Sequence, residues 1–114
     1  MAKVNAKQQA EIARAQMEEA ARAVLVTTGD VQAKYSPVNI VFALGGSSGG
    51  VFTEASPQIA FEKAMFQLQL AALALGGNAV VHCAFAYQSV AVQNLGCSST
   101  AFTVSGYGTV VRFV

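Results

Sequence analysis

The sequence predicts a small α+β fold, an N-terminal helix followed by a β-α-β-β core. Three observations predict it. Residues 2–23 and 57–75 have helical composition or periodicity. Residues 24–28, 78–92 and 97–113 are rich in Val, Thr, Phe and Tyr. A Gly-rich stretch separates the first strand from the second helix. The chain therefore divides into a helical extension, 1–23, and an α+β domain, 24–114.

Each element has its own warrant. Residues 2–23 lack Gly and Pro and are dominated by Ala, Gln, Glu, Lys and Arg, all good helix formers. Lys7/Glu11, Arg14/Glu18 and Glu18/Arg22 are opposite charges one turn apart. Val4, Ile12 and Met17 are its only bulky apolar residues, so it is either a solvated arm or a helix docking on a neighbouring subunit. Residues 24–28 read as a strand ending at the Gly29-Asp30 turn. Residues 31–44 fit a strand or a short helical turn, with Ser36-Pro37 breaking any longer helix. Gly45, Gly46, Ser47, Ser48, Gly49 and Gly50 read as a loop. Gly45 and Gly50 have the spacing of a phosphate-binding loop, but Val51 and Phe52 stand where its Lys and Ser/Thr belong, which argues against a nucleotide.

The second helix starts at Pro57, with Glu54 and Ser56 as N-terminal acceptors, and stops at Gly76-Gly77. Phe61, Met65, Leu68, Ala72 and Leu75 form its predicted buried face. Leu70, Leu73 and Ala74 fall in the opposite, polar sector, which predicts that they meet another subunit. Two long strands follow, joined through Gln93-Asn94-Leu95-Gly96 as a hairpin. Gly106 and Gly108 in the last strand suggest a bulge or a close backbone approach.

Composition narrows the function. The chain is 54% hydrophobic and 11% charged with net charge +1, against roughly 25% charged residues in ordinary domains. Neither a nucleic-acid partner nor disorder fits. Seven of the thirteen charges lie in the first 22 positions, and none lies between Lys63 and Arg112. No apolar run reaches the ~20 residues of a membrane span; residues 64–75 are interrupted by Gln67 and Gln69. The N-terminus has no apolar core of a secretory signal, so a cytoplasmic protein with reduced cysteines is expected. Of a membrane, an apolar binding partner and self-association, self-association is the favoured explanation, with the surface covered by other copies.

Candidate chemistry is sparse. His82, Cys83 and Cys97 are the candidates for holding a metal ion. His82 and Cys83, adjacent on a strand, should point to opposite faces. A tight turn near Asn94-Leu95 places His82 opposite Tyr107 and Cys97 opposite Val92, with Cys83 and Cys97 beyond disulfide reach. A transition metal would then need ligands from several subunits. With one His and no sequence-local acid beside it, no triad forms. No catalytic residue and no cofactor are expected, and a non-enzymatic protein is predicted.

The segment Ala74-Leu75-Gly76-Gly77-Asn78-Ala79-Val80-Val81, with Tyr87 and Val90, resembles the helix-to-strand signature of the YbjQ-like (UPF0145) proteins. The closing strand around Gly106-Tyr107-Gly108 and the Gly45 to Gly49 segment are also similar to theirs. The resemblance covers about residues 24–113. It implies a small subunit assembling into a pentameric ring, with strands contributing to the subunit contacts. It also carries a heavy-metal-binding label. Here Ala84, Ala86 and Gln88 stand where family members often have acidic residues, and Asn78 stands where they have Asp, so a carboxylate site on that strand is missing. The expected function is a self-assembling homo-oligomer, alternatively one that binds a heavy metal or small ligand where subunits meet.

Overall fold

The computed structural model describes residues 5–49, 55–94 and 97–114, without the side chains of 92–99. It is α+β, in the order α1 (Ala6–Arg22), β1 (Leu25–Val26), β2 (Tyr35–Ser48), α2 (Pro57–Ala74), β3 (Ala79–Asn94) and β4 (Cys97–Phe113). The four strands form one mixed sheet in the order β1-β3-β4-β2, with β1 parallel to β3 and the other pairs antiparallel.

Three expectations are corrected here. The Gly-rich stretch is strand rather than loop: it continues β2, which from Tyr35 realises the strand alternative for residues 31–44. In β2, Gly45, Gly46, Ser47 and Ser48 pair with Val104, Thr103, Phe102 and Ala101, Gly49 follows its end, and Gly50 lies outside the described residues. Packing is the reason: a Cβ on Gly45 would meet the backbone of Ala60 and, at 2.6 Å, the Ala64 nitrogen. The glycine lets α2 lie directly on the strand. Pro37 is tolerated because β2 is an edge strand with a register shift between Pro37 and Asn39.

The second correction is the buried face of α2. Ala60, Ala64, Leu68 and Ala72, four residues apart, face the sheet, while Phe61, Met65 and Leu75 are at the exposed rim. Leu68 and Ala72 belong to both faces, and the buried face turns by about 40° from the predicted stripe, toward Ala60 and Ala64. Small side chains win because they bring the helix backbone onto Gly45. Ser56 caps the helix as the sequence predicts, accepting from the Ile59 N–H; Glu54, Val51 and Phe52 lie outside the described residues.

The third is the hairpin register. Asn94 pairs with Cys97, Val92 with Ser99, and Ala84 rather than His82 faces Tyr107. The connecting Leu95 and Gly96 are outside the described residues. Between Val81 and Ala84 the register shifts, so His82 and Cys83 together oppose Gly108, the arrangement of a β-bulge. A side chain on Gly108 would press on Cys83 Sγ at 2.7 Å and Val80 at 2.6 Å, the close approach that the sequence predicts there.

The main core lies between α2 and the sheet: Val41, Ala43, Leu68, Val80, Cys83, Val104 and Val110 with the α2 alanines. On the other face, Ala79, Val81 and Val111 are covered by Val31 and Tyr35. α1 starts at a capping box between Asn5 and Gln8. Of its residues only Ala21 is buried. Gln69, the one buried polar residue among those described, ties α1 to α2 by donating to the Val24 and Arg22 carbonyls at 3.0 and 3.4 Å. The Arg22 guanidinium lies 4.6 Å from the Phe66 ring centre.

Candidate functional site

The sheet is covered at one end and bare at the other. Val31 and Tyr35 shield its outer face only over Ala79, Val81 and Val111. Beyond them, alternation along the strands turns Ile40, Phe42 and Leu44 of β2, Tyr107 of β4, and Ala84 and Ala86 of β3 outward. Phe42 is 76% exposed and Leu44 59%. The Phe42 and Tyr107 rings stand 6.4 Å apart. They border a shallow trough of about 300 Å³ over Ala84, Ala86 and Ser105. None of these residues is charged.

The β3–β4 hairpin continues past the rest of the sheet. β2 pairing ends at Ser48–Ala101, opposite Val90. Residues 86–91 are exposed one after another, so both faces of the strand meet solvent there. At the root of this arm, Phe61 stacks on Tyr87 at 6.4 Å and meets Phe85 edge-on at 5.9 Å, while Tyr87 stacks on Phe102 at 5.7 Å. These aromatic contacts tie the root of the arm to α2.

The bulge separates the predicted metal ligands. His82 has φ 52°, the left-handed region, at a cost of about 1–3 kcal/mol for a side-chain-bearing residue. Its conformation is held from the β1 side, where the His82 N–H donates to Gly29 O at 2.9 Å and the Cys83 N–H to Thr27 O at 3.0 Å. The imidazole is exposed, with Nε2 3.9 Å from Asp30 Oδ1, too long for a hydrogen bond. Tyr35 donates to that Asp30 oxygen at 2.8 Å and the Val31 N–H donates at 2.8 Å. These bonds, Tyr35's first, hold the Asp30 carboxyl below its ordinary range, and the same bond pushes the Tyr35 phenol up.

Cys83 points the other way, into the core, with Sγ 3.7 Å from Val80 O. Burial pushes its thiol up and so disfavours the thiolate that a metal needs. The side chain of Cys97 lies outside the described residues, and its backbone pairs with Asn94, eleven positions along the strand from Cys83. The Asn78 side chain is occupied, accepting from the Phe113 N–H at 2.6 Å. Among the described residues no three His, Cys, Asp or Glu side chains come together. The described residues of one chain do not fit a metal ion.

Sequence reasoning placed a subunit contact at Leu70, Leu73 and Ala74. Leu70 and Leu73 are half-buried and Ala74 is exposed. It missed Ile40, Phe42 and Leu44 on the outer sheet face. Their alternation with Val41, Ala43 and Gly45 was the available signal, hidden because the glycines read as a loop. Among the described residues no helix is long and apolar enough to cross a membrane.

No family model matches the chain, and no curated protein sequence does. Among solved structures, it is similar to a protein of unknown function of the DUF74 family from Pediococcus pentosaceus ATCC 25745. That crystal structure is 22% identical and aligns over 80% of this chain and 98% of its own, with a TM-score of 0.59. The likeness is one of fold: the chain shares the α+β architecture of that DUF74 structure.

Proposed function

We propose that this chain is a non-enzymatic, cytoplasmic subunit of a homo-oligomer and completes its burial by association. One observation carries the reading. The subunit exposes 8004 Å², whereas a monomer of 11.8 kDa exposes about 5,900 Å². Its radius of gyration is 17.7 Å in a slab 55 × 48 × 17 Å, against about 13 Å for a compact chain of this length. The surplus of about 2,100 Å² comes from the exposed α1, the outer sheet face and the hairpin together. It exceeds the ~800 Å² that each partner of a standard interface contributes. The resemblance to YbjQ-like proteins suggests five copies in a ring. Native mass spectrometry at micromolar concentration tests this: a mass several times 11.8 kDa is expected, and a clean monomer would sink the reading.

A ligand-binding version of the same oligomer has one observation in its favour. The exposed His82 imidazole sits at a strained bulge beside Asp30, a position from which a neighbouring subunit could supply further ligands. Metal analysis of untagged protein decides it. Stoichiometric metal lost in His82→Ala supports this version, and trace metal unchanged by the substitution rejects it.

A further inference from the structure

The subunit leaves two uncharged surfaces uncovered, the outer sheet face around Phe42 and the arm beyond Ala86. We infer that they cover each other: the β3–β4 arm of one copy lies across the outer sheet face of the next. This rests on the homo-oligomer reading and names its contact.

Four observations support the pairing. Both surfaces lack charge, since none occurs between Lys63 and Arg112 and β2 carries none. An ionic partner would leave its own charges buried and unpaired here. The surfaces also differ in form. The face is a trough floored by Ala84, Ala86 and Ser105 and walled by Phe42 and Tyr107, whereas the arm is a narrow two-stranded ribbon bearing Tyr87, 50% exposed, and Val90, 46% exposed. The arm is long enough to span the face: its β3 strand from residue 86 to 94 runs about 27 Å, against about 20 Å for the bare run of β2 from residue 40 to 46. Finally, the area agrees. In a ring each subunit gives an arm and receives one, which buries about 1,600 Å² at the standard interface size, most of the surplus. Unlike surfaces pairing head to tail generate a closed ring when the rotation closes.

Two variants and their mixture test it, read by native mass spectrometry with circular dichroism as the folding check. Phe42→Glu disables the face and Val90→Glu disables the arm; Leu44→Lys replaces Phe42→Glu should that chain fail to fold, and Gln88→Glu, on the same side of the ribbon as Val90, likewise replaces Val90→Glu. Each variant alone is expected as a folded monomer of about 11.8 kDa. Mixed in equal amounts they retain one good contact per pair, and a 1:1 heterodimer of twice that mass is expected. Higher mass persisting in either variant alone overturns the inference. So does a mixture that stays monomeric, because the pair holds one intact arm and one intact face; a face-to-face contact would instead leave Val90→Glu dimeric on its own. In both cases an oligomeric wild type leaves the homo-oligomer reading standing, while a monomeric wild type removes both.

Discussion

The two ends of the β3–β4 hairpin follow the same alternation but have opposite fates. At the end near Ala79 and Val111, both faces of the sheet are buried, by α2 on one side and by Val31 and Tyr35 on the other. From Ala86 to Ala91 both faces are open. Composition does not distinguish the ends, since Val, Ala, Thr and aromatic residues occupy both. What differs is which other segments of the same chain can reach them. The described part of the chain therefore has one half stabilised by its own packing and one half whose apolar surface is exposed.

Substitutions in the packed half should change subunit stability before assembly. Gly45→Val is expected to have the largest effect, because its Cβ has no room against Ala60 and Ala64; loss of the cooperative melting transition is expected. Leu68→Ala, at a fully buried site, should cost about 2–5 kcal/mol in chemical denaturation. Gln69→Met keeps the volume but leaves the buried Val24 carbonyl without its side-chain donor, for a loss of about 1–3 kcal/mol. An unchanged denaturation midpoint in either variant would show that the packed half does not support itself.

Substitutions outside it should leave the subunit folded. Leu73→Glu on α2 is expected to lower the native mass, whereas Glu19→Ala on the exposed α1 should leave mass and melting temperature alone. If Leu73→Glu assembles normally, the helix face is not a contact and the sheet surfaces carry assembly alone. The smallest effect is electrostatic. Asp30 is held below its usual pKa of 3.8, chiefly by Tyr35. Its contribution is therefore present above that value and fades as pH falls through the lowered one. Tyr35, raised above 10.0, contributes below that value and loses its contribution as pH rises through the raised one. Tyr35→Phe should shift the Asp30 titration back upward in an NMR pH series, and an unshifted titration would show that the bond does not persist in solution.

Much of the fold was legible in the sequence, and the misses have physical causes. The α1 composition, the Pro57 start, the Gly76-Gly77 stop and the β3 and β4 runs all report local preferences, and each element lies within a few residues of its prediction. The Gly-rich end of β2 was missed because glycine inside a strand and glycine in a turn look alike locally. Only the presence of Ala60 and Ala64 above Gly45 says which applies. The α2 stripe was misplaced for a related reason: counting hydrophobic residues favours Phe61 and Met65, but the sheet takes the smallest side chains. The bulge at His82 depends on Gly108 across the hairpin and on Thr27 and Gly29 beside it, partners far away in sequence.

By itself the sequence determined the element types, the uncharged stretch from residue 64 to 111, and hence the need to cover apolar surface. These follow from local propensity and composition, which each segment carries wherever it is placed. Only the tertiary structure decided which surface remains uncovered. It put α2 on one face of the sheet, ended the cover on the other at Tyr35, and let the hairpin run on past both. Burial is a property of neighbours in space, so Phe42 and Val41, adjacent and similarly apolar, end on opposite sides of that divide.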